Sequence, residues 1–176
     1  MLHFLVGAYS IEEFKKYYCN LSDLREYYVR RTGRAPGPFE LGQEEERHIE
    51  RDPNHLIVWT DGEEIVGHCI WHETSTEEMI PGDPRDEDDR NCLRELFEGK
   101  TKNLVELHEL WLRTEHRGKG FGQQFFSFFE DYVLVEGFGG IVHYTDHDAV
   151  IALCRKRGYR ESFLESSGWY VFAKLS

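Results

Sequence analysis

The stretch Leu112-Arg-Thr-Glu-His-Arg-Gly-Lys-Gly-Phe-Gly-Gln123 constrains this chain more than any other. A run rich in apolar residues, Asn103 to Arg113, leads into it, and glycines stand at 118, 120 and 122. Phe121, Phe125, Phe128, Phe129 and Tyr132 lead out of it at i, i+4, i+7, i+8 and i+11. The first run reads as a strand and the aromatic stripe as one face of a helix over Gly120 to Glu136, packed in the core. Strand, glycine turn and helix in immediate succession make the chain a mixed α and β protein. They also have a chemical consequence. The first amides of a helix have no partner within it and lie at the positive end of its macrodipole. Glycines remove the Cβ atoms that would keep an anion from the backbone, and Arg117 and Lys119 add charge. The segment is therefore a candidate anion site. It is neither a P-loop, since GxxxxGK[ST] is absent, nor the GxGxxG dinucleotide spacing.

Around this segment the chain alternates between strand and helix signals. Leu2 to Val6 reads as a strand. Ser10 and Glu13 have capping-box spacing for a helix through Tyr18. Ser22 starts a second helix carrying Leu24, Tyr27, Tyr28 and Arg31, which Gly33 to Pro38 breaks. Residues 43–51 form a short charged helix. His55 to Thr60 and Glu64 to His72 flank Asp61-Gly62, a hairpin signal. From Glu73 to Lys100 there are ten acidic and four basic residues. This stretch reads as a solvated surface insert with a short helix around Cys92 to Phe97. After the aromatic helix come a strand at Gly140 to Thr145, a helix from Asp148 to Arg157 ended by Gly158, and a hairpin of Tyr159 to Leu164 with Gly168 to Leu175.

Composition narrows the function classes. With 40% apolar residues in 176, the chain can bury a core of its own and is expected to form a single domain, residues 1–176. Thirty-three acidic residues against 21 basic ones give a net charge of −12, which opposes broad nucleic-acid binding. The same balance suits a cationic substrate, or simply keeps the protein in solution. Cys19, Cys69, Cys92 and Cys154 form no CxxC pair and read as free thiols of a reducing compartment. The N-terminus lacks a basic leader, and no apolar run approaches the roughly 20 residues of a membrane helix, so a cytoplasmic location without membrane contact is expected. His68, Cys69 and His72 lie close together, but no second ligand pair accompanies them, so no metal is expected. The aromatic strands are of a kind that also supports a homodimer.

Two motifs carry a family resemblance. Arg117-x-x-Gly120-x-Gly122, five residues after Leu112, resembles the coenzyme A loop of the GNAT (Gcn5-related) N-acetyltransferase superfamily. His147-Asp-Ala-Val-Ile-Ala-Leu-Cys-Arg-Lys-Arg-Gly-Tyr159 resembles that superfamily's Asn-x-x-Ala-Ile-x-Leu-Tyr-x-Lys-x-Gly-Phe helix. Together they cover about residues 103–175. The resemblance implies a mixed, mostly antiparallel sheet of about six to seven strands flanked by helices, with a V-shaped splay between the two central strands. It implies an enzyme that moves an acetyl group from acetyl-CoA directly to a primary amine in a ternary complex. A regulatory module that binds CoA without turnover is the alternative.

By the same resemblance, Trp111, Leu112 and Arg113 line the pantetheine arm, and Leu112 pairs with it through its backbone. The amides of Arg117, Gly118, Lys119, Gly120, Phe121 and Gly122 hold the pyrophosphate, and Gln123 also contacts the cofactor. A main-chain N–H near Leu110 or Trp111 polarises the thioester carbonyl. The acceptor must lose a proton before it attacks, and the family's positions for a base or water-holding group fall on Glu106 and His108. On a regular strand these share a face with Leu110 and Leu112, and Glu109 points the other way. Two positions depart from the pattern. Cys154 replaces the tyrosine that protonates the CoA thiolate, and is either a weak acid or a small filler. Water, or one of the nearby tyrosines Tyr144 and Tyr159, is the substitute acid. His147 stands where an asparagine touches the cofactor.

Overall fold

Ser10 sets the first helix. Its Oγ accepts from the Glu13 amide at 3.3 Å, and Glu13 Oε2 accepts from the Ser10 amide at 2.9 Å, which completes the capping box. The computed structural model describes residues 1–33, 40–99 and 103–176. In chain order its elements are β1 (Leu2–Val6), α1 (Ile11–Tyr18), α2 (Ser22–Thr32), α3 (Gln43–Arg51), β2 (Leu56–Asp61) and β3 (Glu64–Thr74). There follow a small hairpin, β4 (Glu78–Ile80) with β5 (Asp83–Pro84), then α4 (Glu87–Leu96) and β6 (Leu104–Leu112). The chain closes with α5 (Phe121–Val135), β7 (Gly140–Thr145), α6 (Asp148–Lys156), β8 (Arg160–Leu164) and β9 (Trp169–Leu175). The main sheet has seven strands in the order β1-β2-β3-β6-β7-β9-β8. It is mostly antiparallel, and its parallel pair is β6–β7, registered from Leu104 with Gly140 to Leu107 with His143. Both strands continue past the end of that register, β6 to Leu112 and β7 to Thr145. The expected mixed sheet is present.

Backbone contacts group the chain into two compact units, Met1–Ile70 with Glu109–Phe121, and Trp71–His108 with Gly122–Ser176. β3 and β6 each run from one unit into the other. In the first unit Phe14, Tyr18, Leu21, Leu24, Ile49, Leu56, Val58, Ile70 and Trp111 form a buried cluster. An eight-residue helix is marginal alone. Burying Phe14 and Tyr18 contributes about 1.5–3 kcal/mol for a side chain of that size, so packing holds α1 in place more than propensity does. Gly33 ends α2 in the left-handed region at φ 66°, as the expected break requires, and the rest of the Gly33 to Pro38 stretch lies outside the described residues.

In the second unit Leu93, Leu96 and Phe97 of α4 and its cap join Leu104, Val142, Val171 and Ala173 in a buried cluster. The expectation of a solvated insert is corrected here as far as Gly99, and Lys100 is outside the described residues. The helix starts at Glu87, five residues before the expected Cys92, with the Asp86 carboxylate accepting from the Asp89 amide at 2.9 Å. Its acidic residues mark the positive end of a helix dipole, and apolar residues at 93, 96 and 97 turn one face inward. The aromatic stripe of α5 is rotated from its expected position. Phe125, Phe126, Phe129 and Val133 are fully buried, whereas Phe121, Phe128 and Tyr132 are half-buried. Among the described residues no helix is long and apolar enough to cross a membrane.

Candidate active site

The glycine loop lies in the first unit and is braced by its own residues. After β6 a 3-10 turn, Thr114–His116, leads to Gly118 and Gly120, both in the left-handed region at φ 76° and 79°. No atom lies within 4 Å of where a Cβ would stand at either, so the backbone surface there is open. Among the described residues no group accepts from the amides of Gly118, Lys119, Gly120 or Phe121. α5 then begins with no acidic residue in its first turn to neutralise the dipole. Arg117 is less available than its sequence position suggests. Its Nε donates to the Leu112 carbonyl at 2.9 Å, and its guanidinium lies 4.7 Å from the Trp111 ring centroid. Arg113 pairs with Glu64 at 2.8 Å and with Glu115. Thr114 donates its amide and hydroxyl to Asp23 of α2, at 3.2 and 2.8 Å. Lys119 is exposed. Arg117 therefore shapes the loop, while the backbone and Lys119 meet solvent.

Glu106 and His108 lie together in the second unit, in company that the sequence did not reveal. Arg85, just before α4 and 4% exposed, donates from Nη2 to Glu106 Oε2 at 2.9 Å and to Thr74 Oγ1 at 2.6 Å. Its Nη1 donates to Asp89 Oδ2 at 2.8 Å and Tyr144 Oη at 2.9 Å, and its Nε donates to the Ser75 carbonyl at 2.9 Å. The Tyr144 hydroxyl donates to Asp89 Oδ1 at 2.6 Å. The other oxygen of Glu106 lies 3.8 Å from His72 Nε2 and 4.0 Å from His108 Nδ1. Burial pushes the Glu106 carboxyl up, but His72, Arg85 and His108 outweigh it and hold it below the usual range. Burial lowers His72, with Glu106 pulling the other way. His72 Nδ1 meets the Glu73 carbonyl at 3.0 Å, so the neutral ring carries its proton on Nδ1 and its lone pair on Nε2.

The carboxylate that sequence reasoning set aside, Glu109, is the best-connected polar group of the first unit. It is 8% exposed; its Oε2 accepts from Tyr18 and Tyr28 at 3.0 Å each, and its Oε1 lies 2.5 Å from His68 Nε2. Phe14, Tyr17 and Tyr18 surround the His68 ring at 5.1–5.8 Å. Burial, then the Glu109 charge, raises both Tyr18 and Tyr28. The tyrosines at 18 and 28 and the histidine at 68 gave no spacing signal, because each comes from a different element.

The remaining expected residues lie in the second unit. A Cβ at Gly122 would stand 3.4 Å from Leu153 Cδ2, so α5 and α6 pack closely there. Gln123, Leu153, Lys156, Arg157 and Lys174 line a cavity of about 220 Å³. Arg157 and Lys174 share the Glu130 carboxylate, at 2.8 and 2.9 Å. The His147 amide donates to Thr145 Oγ1 at 3.1 Å, and its Nδ1 is buried without a partner. Cys154 is fully buried, and burial pushes its thiol up to about 12. Tyr159 is buried beside Phe126 and Lys174, while Tyr144 belongs to the Arg85 cluster.

The model of the acetyltransferase (GNAT) family matches residues 21–159. No curated protein sequence matches the chain. Among solved structures, a GNAT family acetyltransferase from Listeria monocytogenes is 16% identical, with a TM-score of 0.63 over 98% of this chain and 95% of that one. The mosquito arylalkylamine N-acetyltransferase like 5b is 14% identical, with a TM-score of 0.61 over all of both chains. The N-acetylglutamate synthase from Neisseria gonorrhoeae, solved with coenzyme A and N-acetyl-glutamate, is 9% identical, with a TM-score of 0.56 over 99% of this chain and 35% of that one. At such identities the likeness establishes the fold.

Proposed function

Because the chain belongs to the acetyltransferase (GNAT) family, we propose that it transfers an acetyl group from acetyl-CoA to a primary amine by direct attack in a ternary complex. One observation carries this reading: the left-handed glycines of the loop leave successive amides without acceptors, on a surface that no Cβ obstructs. Those amides suit a diphosphate, and Lys119 adds a cation. Trp111, Leu112 and Arg113 belong to the same braced segment and serve the pantetheine end, and Arg117 belongs with the pyrophosphate. Gly122, Gln123 and His147 are carried as cofactor contacts by the family resemblance. Lys156 lines the Gln123 cavity beside Arg157 and Lys174, which share the Glu130 carboxylate, and offers a cation there for further phosphate charge. The acceptor arrives as an ammonium at neutral pH and must be deprotonated, and in our reading Glu106 and His108 assist that step.

A second reading, a CoA-binding module without turnover, is favoured by Cys154. A fully buried thiol held near 12 is a poor substitute for a tyrosine that must reach a leaving thiolate. In our reading Cys154 fills space, and solvent protonates the departing CoA. The two readings separate on thiol release from acetyl-CoA across a panel of small primary amines and lysine peptides. Turnover with any of them supports the enzyme. Calorimetric binding of CoA with no thiol release from the whole panel supports the module, and no binding at all removes both.

A further inference from the structure

The guanidinium of Arg85 comes from the acidic stretch that precedes and forms α4, and it spends all three of its nitrogens inside the second unit. Five donor contacts from a planar fork fix its position. One of its partners is the Glu106 carboxylate, whose other oxygen faces the imidazoles of His72 and His108, ring centroids 5.6 Å apart. Two buried carboxylates, Glu106 and Asp89, share the one guanidinium, so the cluster carries one negative charge in excess. A proton added to either imidazole cancels that excess. A proton added to Glu106 instead gives up the charge-assisted hydrogen bond that its carboxylate accepts from buried Arg85 Nη2, although Asp89 still faces the guanidinium.

We propose that Arg85 is a positioning residue that keeps Glu106 an anion, so that the acceptor ammonium gives its proton to the His72–His108 pair and not to the carboxylate. This rests on the acetyl-transfer reading above. In the step, an N–H bond of the ammonium breaks and its electron pair stays on nitrogen. The proton bonds to an imidazole nitrogen, and the imidazolium is stabilised by Glu106. His108, with 18% of its side chain exposed, is the outer member, and His72, at 2%, the inner one. Within the second unit, Asp89 of α4 and His143 and Tyr144 of β7 also act on this cluster. The function of the acidic stretch is then to deliver Arg85.

The test is the pH profile of kcat in the wild type, Arg85→Gln, Arg85→Lys and Glu106→Gln, paired with proton NMR titration of the His72 and His108 C2 protons. A neighbouring charge shifts a pKa by about one unit. Glu106→Gln is expected to lower kcat while leaving measurable turnover at alkaline pH, and to move the acid limb and the imidazole midpoints down by about that much. Arg85→Gln is expected to move both up, since it removes a cation, and Arg85→Lys to leave them near the wild type. Loss of turnover at every pH in a folded Glu106→Gln, or imidazole midpoints unmoved by it, overturns the proposal. If Arg85→Gln does not fold, Glu106→Gln decides alone. If the wild type acetylates none of the amines, the reading of function fails, and the NMR midpoints still decide the role of Arg85.

Discussion

Glu106 is bound to a guanidinium, whereas Glu109 is bound to two phenols and lies against an imidazole, and the two carboxylates answer differently to substitution. Replacing Glu109 by alanine removes the carboxylate that accepts from the Tyr18 and Tyr28 hydroxyls. The expected loss is about 2–4 kcal/mol, seen as a lower urea midpoint, and Tyr28→Phe is expected to cost about 1 kcal/mol. Cys154 calls for the opposite prediction. As a filler it is replaceable, so Cys154→Ala is expected to keep kcat within about twofold and to lose about 1 kcal/mol of stability. A loss of turnover above about a hundredfold in the folded variant returns Cys154 to the role of acid. The glycine spacing and the alternation of β6 made the loop and Glu106 legible in the sequence. Arg85 was not, because it is one of three arginines among ten acidic residues and none carries a periodicity, so only the fold shows which carboxylate it meets.

At the scale of elements, local chemistry was the most readable layer. Ser10 and Glu13 form the capping box their spacing implies, so Ser10→Ala is expected to lose about 1 kcal/mol, measurable as a drop in thermal midpoint. An unchanged midpoint contradicts the account of α1. The strand–turn–helix around the glycines and the Asp61-Gly62 hairpin were legible for the same reason, since each is specified by residues a few positions apart. α4 was misjudged because charge counted over a window hides direction. Asp86, Glu87, Asp88 and Asp89 cluster at the helix start, where the dipole favours them, while Leu93, Leu96 and Phe97 follow at core spacing. The rotation of the α5 stripe toward Phe126 and Val133 has a similar origin, since five phenylalanines and three aliphatic side chains on fifteen residues leave the buried face to be chosen by packing.

Across the whole molecule the candidate residues divide between two units, the glycine loop in one and the Arg85–Glu106 cluster in the other. Long-range ion clusters like these set how the protein answers to acid. Burial pushes Glu130 up, but its bonds to Arg157 and Lys174 prevail and hold it below the usual carboxylate range. A depressed carboxyl stabilises the fold above the unfolded-state pKa and loses that contribution as pH falls through the folded-state value. The urea midpoint is therefore expected to fall between about pH 5 and pH 3, and less steeply in Glu130→Gln. The account as a whole depends on the loop backbone. The most direct measurement is the amide NMR spectrum of ¹⁵N-labelled protein titrated with CoA. The amide resonances of Gly118, Lys119, Gly120 and Phe121 are predicted to shift together and to saturate at one equivalent. Binding of CoA that leaves these four resonances in place, or no binding at all, contradicts it.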